Sequence, residues 1–184
     1  MRELAFIDVE TTGLNPERHE IIEIAALAVH PSSMQVIAHA HTKVKPERLG
    51  DADPEALGVA GYDDERWSDA VPLAAALRAV APVLRGRAVA GHNIEFDWSF
   101  LVAAWRRCGL EAPPVDHRRL DTMSLAWPLL ARGHVRSLSL DALCRHFDIW
   151  RPAPHCAAAD VRATVRLYME ICALHGPPAH SSWR

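Results

Sequence analysis

The N-terminal part of the chain has a hydrophobic and polar pattern that predicts three consecutive strands. Apolar and β-branched residues fill 2–9, Ile21–Val29 and 34–44, and each run has the length and composition of a strand. A Pro-Ser-Ser sequence at 31–33 supplies a turn between the second and third runs. Strands that follow one another this closely predict an antiparallel meander.

From residue 70 onward the hydrophobic spacing becomes that of helices. Apolar residues three and four apart predict helices at 70–85, 93–108, 122–130, 138–147 and Ala157–Leu174, with a shorter helix after Pro54. A short apolar run at 88–90 predicts a buried strand that ends at Gly91, and residues 118–122 are a candidate for a fifth strand. This order predicts an α/β protein whose five-stranded mixed sheet is flanked by helices.

Length and composition indicate one globular domain. The chain has 184 residues, and we expect a domain at 1–175 followed by a loosely attached tail at 176–184. No apolar run approaches the length that spans a membrane, and the four cysteines lack paired spacing, so we expect reduced thiols in a cytoplasmic protein. The formal net charge of −3 argues against a protein that coats long nucleic acid nonspecifically.

The end of the first predicted strand carries two acidic residues, Asp8 and Glu10. Residues two apart on a strand point to the same side, so the two carboxylates are expected to lie together. Such a pair needs a cation, a shared proton or open water. A solvated strand end is the ordinary explanation of an isolated Asp-x-Glu pair, and the pair alone is weak evidence for a site.

Two aspartates further along the chain are in register with the buried faces of predicted helices. Asp97 lies three and four residues before Phe100 and Leu101, on a helix for which Asn93 is the expected N-cap. Asp160 lies one turn before an apolar stripe on the last helix. A carboxylate aimed at a core is costly unless it is paired or bound to metal. An arginine partner or a helix-capping role is the alternative for each aspartate.

His155 precedes Asp160 by five residues and follows Pro154, which predicts a turn just before the last helix. Histidine changes protonation near neutral pH and can take a proton from water, although one histidine among eleven is usually a surface or core residue. The motifs contain no obvious lysine or arginine and no Cys or His pair of the kind that binds zinc. The acids therefore favour two divalent cations, Mg²⁺ or Mn²⁺, which can support an in-line phosphoryl displacement.

Three segments together resemble the motifs of the DnaQ-like, DEDDh-type 3′–5′ exonucleases. They are Phe-Ile-Asp-Val-Glu-Thr-Thr-Gly-Leu at 6–14, Gly-His-Asn-Ile-Glu-Phe-Asp-Trp-Ser-Phe-Leu at 91–101 and His-Cys-Ala-Ala-Ala-Asp at 155–160. This family includes the proofreading epsilon subunit of bacterial DNA polymerase III and RNase T. Its ribonuclease H-like fold agrees with the predicted order of elements.

The resemblance implies a catalytic role for each matching residue. Asp8, Glu10 and Asp160 would hold one metal ion. Asp8 would bridge to a second ion, which Asp97 would support. His155 would be the general base that takes a proton from the attacking water. The implied activity is the release of nucleoside 5′-monophosphates from the 3′ end of single-stranded DNA or RNA.

The resemblance also implies contacts with the terminal nucleotide. The backbone at Thr11 and Thr12 would meet this nucleotide, Leu14 would wedge against its base, and Asn93 and Phe96 would line the same pocket. For Leu14 and Phe96, plain core packing is the alternative.

The chain departs from the family pattern at one position of the substrate site. Family members often carry Val-His-Gly-Ile where this chain has Val-Ala-Gly-Tyr at 59–62, and Tyr62 is hypothesised to compensate for the histidine by stacking. No long polymerase-binding tail follows the motifs, which argues against a polymerase partner. The sequence itself does not decide between a polymerase partner and a homodimer.

Other classes of protein share parts of this pattern. A haloacid dehalogenase-like phosphatase also begins with an aspartate after a hydrophobic strand. It would need a second aspartate at the place of Glu10 and a lysine after Lys45, and the chain has neither. A catalytically inactive nucleic-acid-binding module is a second alternative, although it would gain nothing from so costly a cluster. An RNA-trimming exoribonuclease is a third, because no motif here distinguishes DNA from RNA.

Overall fold

A computed structural model of the protein describes residues 2–174 and contains a five-stranded mixed sheet. Its strands are β1 (Leu4–Thr11), β2 (Ile21–Val29), β3 (Val36–Lys43), β4 (Ala88–Gly91) and β5 (Arg119–Asp121). They lie in the order β3-β2-β1-β4-β5, with β2 antiparallel to both β1 and β3, β4 parallel to β1, and β5 parallel to β4. The predicted meander and the predicted mixed sheet are confirmed.

The first strand continues past the predicted end at residue 9 because its last residues stay paired with β2. Glu10 lies opposite Glu23, and Thr11 lies opposite Ile21 after a shift in register. Irregularities of this kind bend a strand and change where its side chains point. The acidic end of β1 is therefore held in the sheet.

Seven α-helices pack around the sheet within residues 2–174. They are α1 (Pro54–Ala60), α2 (Leu73–Leu84), α3 (Ile94–Arg107), α4 (Thr122–Leu125), α5 (Trp127–Ala131), α6 (Leu140–His146) and α7 (Ala157–Leu174). The prediction of one helix at 122–130 is wrong, since two short helices occupy this segment. Pro128 explains the break, because proline has no N–H to donate and fits only the first turn of a helix.

Helices cover both faces of the sheet, and alternate residues of β1 pack on the two sides. Ala5, Ile7 and Val9 belong to the core formed with α2 and α3, whereas Leu4 and Phe6 belong to the core formed with α7. This division follows from the two-residue period of a strand. As a result, α3 and α7 approach the end of β1 from opposite faces.

The remaining predictions for the whole chain have mixed outcomes. The expected tail at 176–184 lies outside the described residues. Within residues 2–174, no helix combines the length and the hydropathy needed to cross a bilayer. None of the four cysteines forms a disulfide, as predicted.

Candidate active site

The end of β1 carries Asp8 and Glu10 on the sheet face that α7 covers. Both residues follow Leu4 and Phe6 at intervals of two, and the Phe6 ring packs on Tyr168 of α7 with centroids 5.6 Å apart. Apolar residues thus anchor the strand, while two carboxylates project from its end. The predicted side-by-side arrangement follows from this register.

Helix α3 brings Asp97 to the same strand end from the opposite face. Asp97 is only 4% exposed, and its Oδ1 accepts a hydrogen bond from the Val9 N–H at 2.8 Å. Because Val9 lies between Asp8 and Glu10, this bond holds the Asp97 carboxylate beside both. The buried position predicted for Asp97 is confirmed.

Asn93 is the N-cap residue of α3, as predicted, but its side chain makes no capping hydrogen bond. The residue has a left-handed backbone, with φ 60° and ψ 45°. Its backbone N–H instead donates to Oδ1 of Asp121 at 2.8 Å. A side-chain cap usually needs an extended backbone at that position, and the turn between β4 and α3 does not provide one.

The start of α7 supplies the last two predicted catalytic residues. Asp160 is buried in the first turn of the helix, whereas His155 is solvent-exposed in the turn before it, with φ 61°. One carboxylate oxygen each from Glu10 and Asp160 and one ring nitrogen of His155 lie within 4.8 Å of one another. The structure therefore brings together residues from distant parts of the sequence, as predicted.

Burial raises the pKa of three acids of the cluster. Removal from water, with repulsion by Asp160, raises the pKa of Glu10 to about 8. Removal from water also raises the pKa of Asp97 to about 8, although the hydrogen bond from Val9 acts in the opposite direction. The pKa of Asp8 rises through burial and the neighbouring carboxylates. The cluster therefore resists full ionisation unless a cation is present.

Arg151, in the proline-rich loop before α7, is a cation at the site that the sequence analysis did not place there. Its Nε donates to Oδ1 of Asp160 at 2.6 Å, and its Nη2 donates to Oδ2. The alternative of an arginine partner, which the sequence analysis left open for each aspartate, therefore holds for Asp160. The path of the loop brings the two side chains together, and helical periodicity gives no signal for such a path.

Glu23 is a further acid beside the cluster, and the sequence analysis also missed it. It lies opposite Glu10 in the ladder between β1 and β2 and is only 3% exposed. Nε2 of His41 lies 2.6 Å from Oε1 of Glu23, and the Cys156 thiol donates to the same oxygen at 3.5 Å. Glu23 reaches the site only because the register of β1 and β2 places it opposite Glu10. The sequence of a single strand does not specify that register.

A pocket of about 340 Å³ adjoins the acidic cluster at the turn that follows β1. Its lining includes Glu10 and three residues predicted to contact substrate: Thr11, Leu14 and Phe96. Leu14 is 79% exposed, which excludes plain core packing for this residue. The Phe96 ring packs on Phe100 with centroids 4.9 Å apart and still reaches the pocket. Exposed apolar surface of this kind suits a flat base.

Other predicted contacts lie outside the lining of this pocket. The Thr12 N–H donates to the carbonyl of Glu20, and Asn93 lies at the start of α3. Tyr62, the hypothesised substitute for the missing histidine, packs on Trp67 with ring centroids 5.0 Å apart. Contacts of Thr12, Asn93 and Tyr62 with substrate stay predictions.

Comparisons with known proteins agree with this geometry. The profile of the RNase T family, described as an exonuclease, matches residues 5–168. The DNA polymerase III subunit epsilon of Escherichia coli K12 is 32% identical over 172 residues, which cover 90% of this chain and 69% of that protein. A PolC-type DNA polymerase III of Thermotoga petrophila is 29% identical over 167 residues, which cover 90% of this chain and 11% of the polymerase.

Exonuclease I of E. coli, solved in complex with a dT13 oligonucleotide, has the same fold. Its TM-score is 0.81 at 20% sequence identity, and the match covers 95% of this chain and 42% of that one. The ribonuclease H-like architecture is therefore confirmed. The chain spans about a tenth of the PolC-type polymerase and about two fifths of exonuclease I.

Proposed function

Because the chain belongs to the RNase T exonuclease family, we propose that it is a metal-dependent 3′–5′ exonuclease. It would hydrolyse the last phosphodiester bond of a single-stranded 3′ end and release a nucleoside 5′-monophosphate. The observation that carries the proposal is the meeting of four carboxylates and a histidine at one strand end: Asp8, Glu10, Asp97, Asp160 and His155. Such a cluster costs stability, which favours a functional reason for it.

The donor set fits hard divalent cations. Carboxylate oxygens are the ligands that Mg²⁺ and Mn²⁺ prefer, and the crowded acids here repel one another without a cation. Asp8, Glu10, Asp97 and Asp160 would hold two such ions. When bound, the ions assist the deprotonation of water and neutralise charge that develops on the leaving oxygen.

His155 is suited to act as the general base. Its exposed ring lies beside Glu10 and Asp160, so it can reach a water molecule at the edge of the cluster. In the neutral form, a ring nitrogen can accept the proton of the attacking water while the phosphodiester bond breaks. The adjacent carboxylates then stabilise the imidazolium that forms.

The pocket beside Glu10 would hold the terminal nucleotide. Leu14 and Phe96 offer apolar surface on which any base can rest, because every base has a flat π-face. One relative is the epsilon subunit of a DNA polymerase III, and single-stranded DNA is therefore the first substrate to test. Association with a polymerase or with a second copy of the chain stays a prediction.

A single-stranded DNA oligonucleotide with a label at its 5′ end tests the proposal. With Mg²⁺ or Mn²⁺, we expect a ladder of labelled products that shorten by one nucleotide at a time, and EDTA should abolish it. Asp8→Asn should give no ladder. His134→Ala should match the wild type, because this exposed histidine lies outside the cluster.

Three results would contradict the proposal: immediate release of the labelled mononucleotide, internal fragments alone, or a ladder that survives EDTA. An RNA oligonucleotide of the same sequence, digested in parallel, measures the preference for DNA over RNA. Much faster digestion of RNA would favour the RNA-trimming alternative.

A further inference from the structure

The Arg151 guanidinium occupies both oxygens of Asp160. The Nε atom of Arg151 lies 2.6 Å from Oδ1 of Asp160, and its Nη2 atom donates to Oδ2. The Oδ2 atom also accepts a hydrogen bond from the backbone N–H of His155 at 3.2 Å. The two side chains of the ion pair are nearly buried, with 7% and 6% of their surfaces exposed. Bidentate pairs of this kind are among the stronger polar contacts in proteins.

A second carboxylate lies near the same guanidinium. Nη1 of Arg151 is 3.9 Å from Oδ1 of Asp141, a residue in the first turn of α6. Asp141 is about half exposed and also pairs with Arg145, one helical turn later. Arg151 therefore lies between a buried acid of the cluster and a surface acid outside it.

A guanidinium and a divalent cation compete for Asp160. Arg151 already bonds to both oxygens of Asp160, and two positive charges at short range repel strongly where little water screens them. Arginine stays protonated in proteins, so Arg151 cannot leave Asp160 by losing a proton. It can leave only by moving.

We propose that Arg151 is the internal counter-ion of Asp160 and that its guanidinium turns to Asp141 when a divalent cation binds. This inference rests on the proposed function, since it takes Asp160 as a metal ligand. Pro152 and Pro154 stiffen the loop, so the movement is a rotation of the arginine side chain. Arg151 is then a positioning residue that sets the affinity of the site for metal.

Titration of Mn²⁺ into the full chain, without nucleic acid and followed by calorimetry, tests the inference. Arg151→Gln removes the competing charge and should bind Mn²⁺ about tenfold more tightly than the wild type. The matched control is Arg162→Gln, because Arg162 is exposed on α7 and no ion pair joins it to Asp160. This variant loses the same charge and should change the affinity by less than about twofold.

A third variant tests the destination of the guanidinium. Asp141→Asn removes the alternative partner, so Mn²⁺ binding should weaken by roughly threefold, within the range for a partly exposed ion pair. An unchanged affinity in this variant would overturn the transfer to Asp141.

Unchanged or weaker Mn²⁺ binding by Arg151→Gln would overturn the inference and make Arg151 a fixed support for Asp160. A wild-type chain that binds no Mn²⁺ would defeat the proposed function itself. The two failures are therefore distinguishable. Failure of the proposed function shows as an absence of Mn²⁺ binding by the wild type, whereas failure of the inference shows in the difference between the wild type and Arg151→Gln.

Thermal unfolding, in EDTA and in saturating Mn²⁺, provides a second readout. Arg151→Gln should unfold at a lower temperature than the wild type in EDTA and should gain more from Mn²⁺, since ligand binding stabilises the folded state. If this variant does not fold, Arg151→Lys keeps the charge without the bidentate geometry. It should still bind Mn²⁺ more tightly than the wild type, and a failure to do so would overturn the inference.

Discussion

At the scale of single residues, Asp8 and Asp160 carry the same functional group in opposite surroundings. Burial and three neighbouring carboxylates, those of Asp97, Glu10 and Asp160, raise the pKa of Asp8. Asp160, in contrast, is bound at both oxygens by Arg151. Loss of charge at these two positions therefore has different consequences for folding.

Asp8→Asn should raise the free energy of unfolding of the metal-free protein, because it removes a repelled charge. Asp160→Asn should lower it by about 3 kcal/mol, because Arg151 would be left buried without its main partner. Urea unfolding in EDTA measures both changes. From the sequence alone both substitutions should relieve repulsion, so shifts of the same sign would contradict the role of the ion pair.

His155→Ala should lower kcat by about 10²–10⁴-fold, the usual range for loss of a general base. Stability should change little, because His155 is exposed in a turn. The pH profile of kcat measures the effect, with His134→Ala as the control. A wild-type rate across neutral pH would show that His155 takes no part in the proton transfer.

The sequence predicted the position of a site residue correctly where the residue belongs to a motif and also fits the spacing of a helix. Asp97 and Asp160 are buried as their helical registers predict. Arg151 and Glu23 escaped prediction because a loop path and a strand register bring them to the site. The sequence predicted the N-cap position of Asn93 but not its left-handed backbone, which leaves the side chain without a capping hydrogen bond.

At the scale of elements, the pocket depends on the loop that joins β1 to β2. Gly13 in this loop has φ +154°, and a Cβ there would lie 2.5 Å from Cε1 of His19. The Thr11 hydroxyl donates to the Gly13 carbonyl at 2.7 Å, which ties the loop to the strand. Leu14 is therefore presented to the pocket by a backbone that only glycine adopts easily.

Gly13→Ala should lower the free energy of unfolding by about 1–3 kcal/mol through backbone strain and the clash with His19. It should also raise KM for an oligonucleotide, because the wall formed by Leu14 would shift. Gly50→Ala is the matched control, since a Cβ at that position meets nothing within 4 Å. Thermal unfolding and steady-state kinetics of both variants check the prediction, and equal behaviour would contradict it.

Prediction of the elements was most accurate where the apolar pattern was long. The bounds of β2 and the start of α7 are those expected from the sequence, because each element carries an uninterrupted pattern. The segment 122–130 was misassigned because helical spacing continues across Pro128, whereas the backbone hydrogen bonds do not.

At the scale of the whole molecule, the acidic cluster links stability to pH. Folding raises the pKa of Glu10 from 4.5 to about 8 and that of Asp97 from 3.8 to about 8, with burial as the main cause. The folded state therefore binds more protons than the unfolded chain. The stability that these groups contribute is fully present below their unfolded pKa values and is lost as pH rises through about 8.

In EDTA, the melting temperature should accordingly fall as pH rises from about 5 to 8. In saturating Mn²⁺, the fall should be smaller or reversed, because metal binding requires deprotonated carboxylates. Thermal scans at several pH values, with and without Mn²⁺, measure both trends. Glu10→Gln should flatten the EDTA profile, and an unchanged slope in this variant would show that other groups cause the trend.

The order of the site residues along the chain also has a consequence during protein synthesis. The strand β1 leaves the ribosome before α7, the helix that carries Asp160. A nascent chain therefore carries Asp8, Glu10 and Asp97 without the acid that completes the cluster. On the proposed function, a half-made protein cannot yet act as a nuclease, since cleavage must wait until α7 has been translated and docked on the sheet.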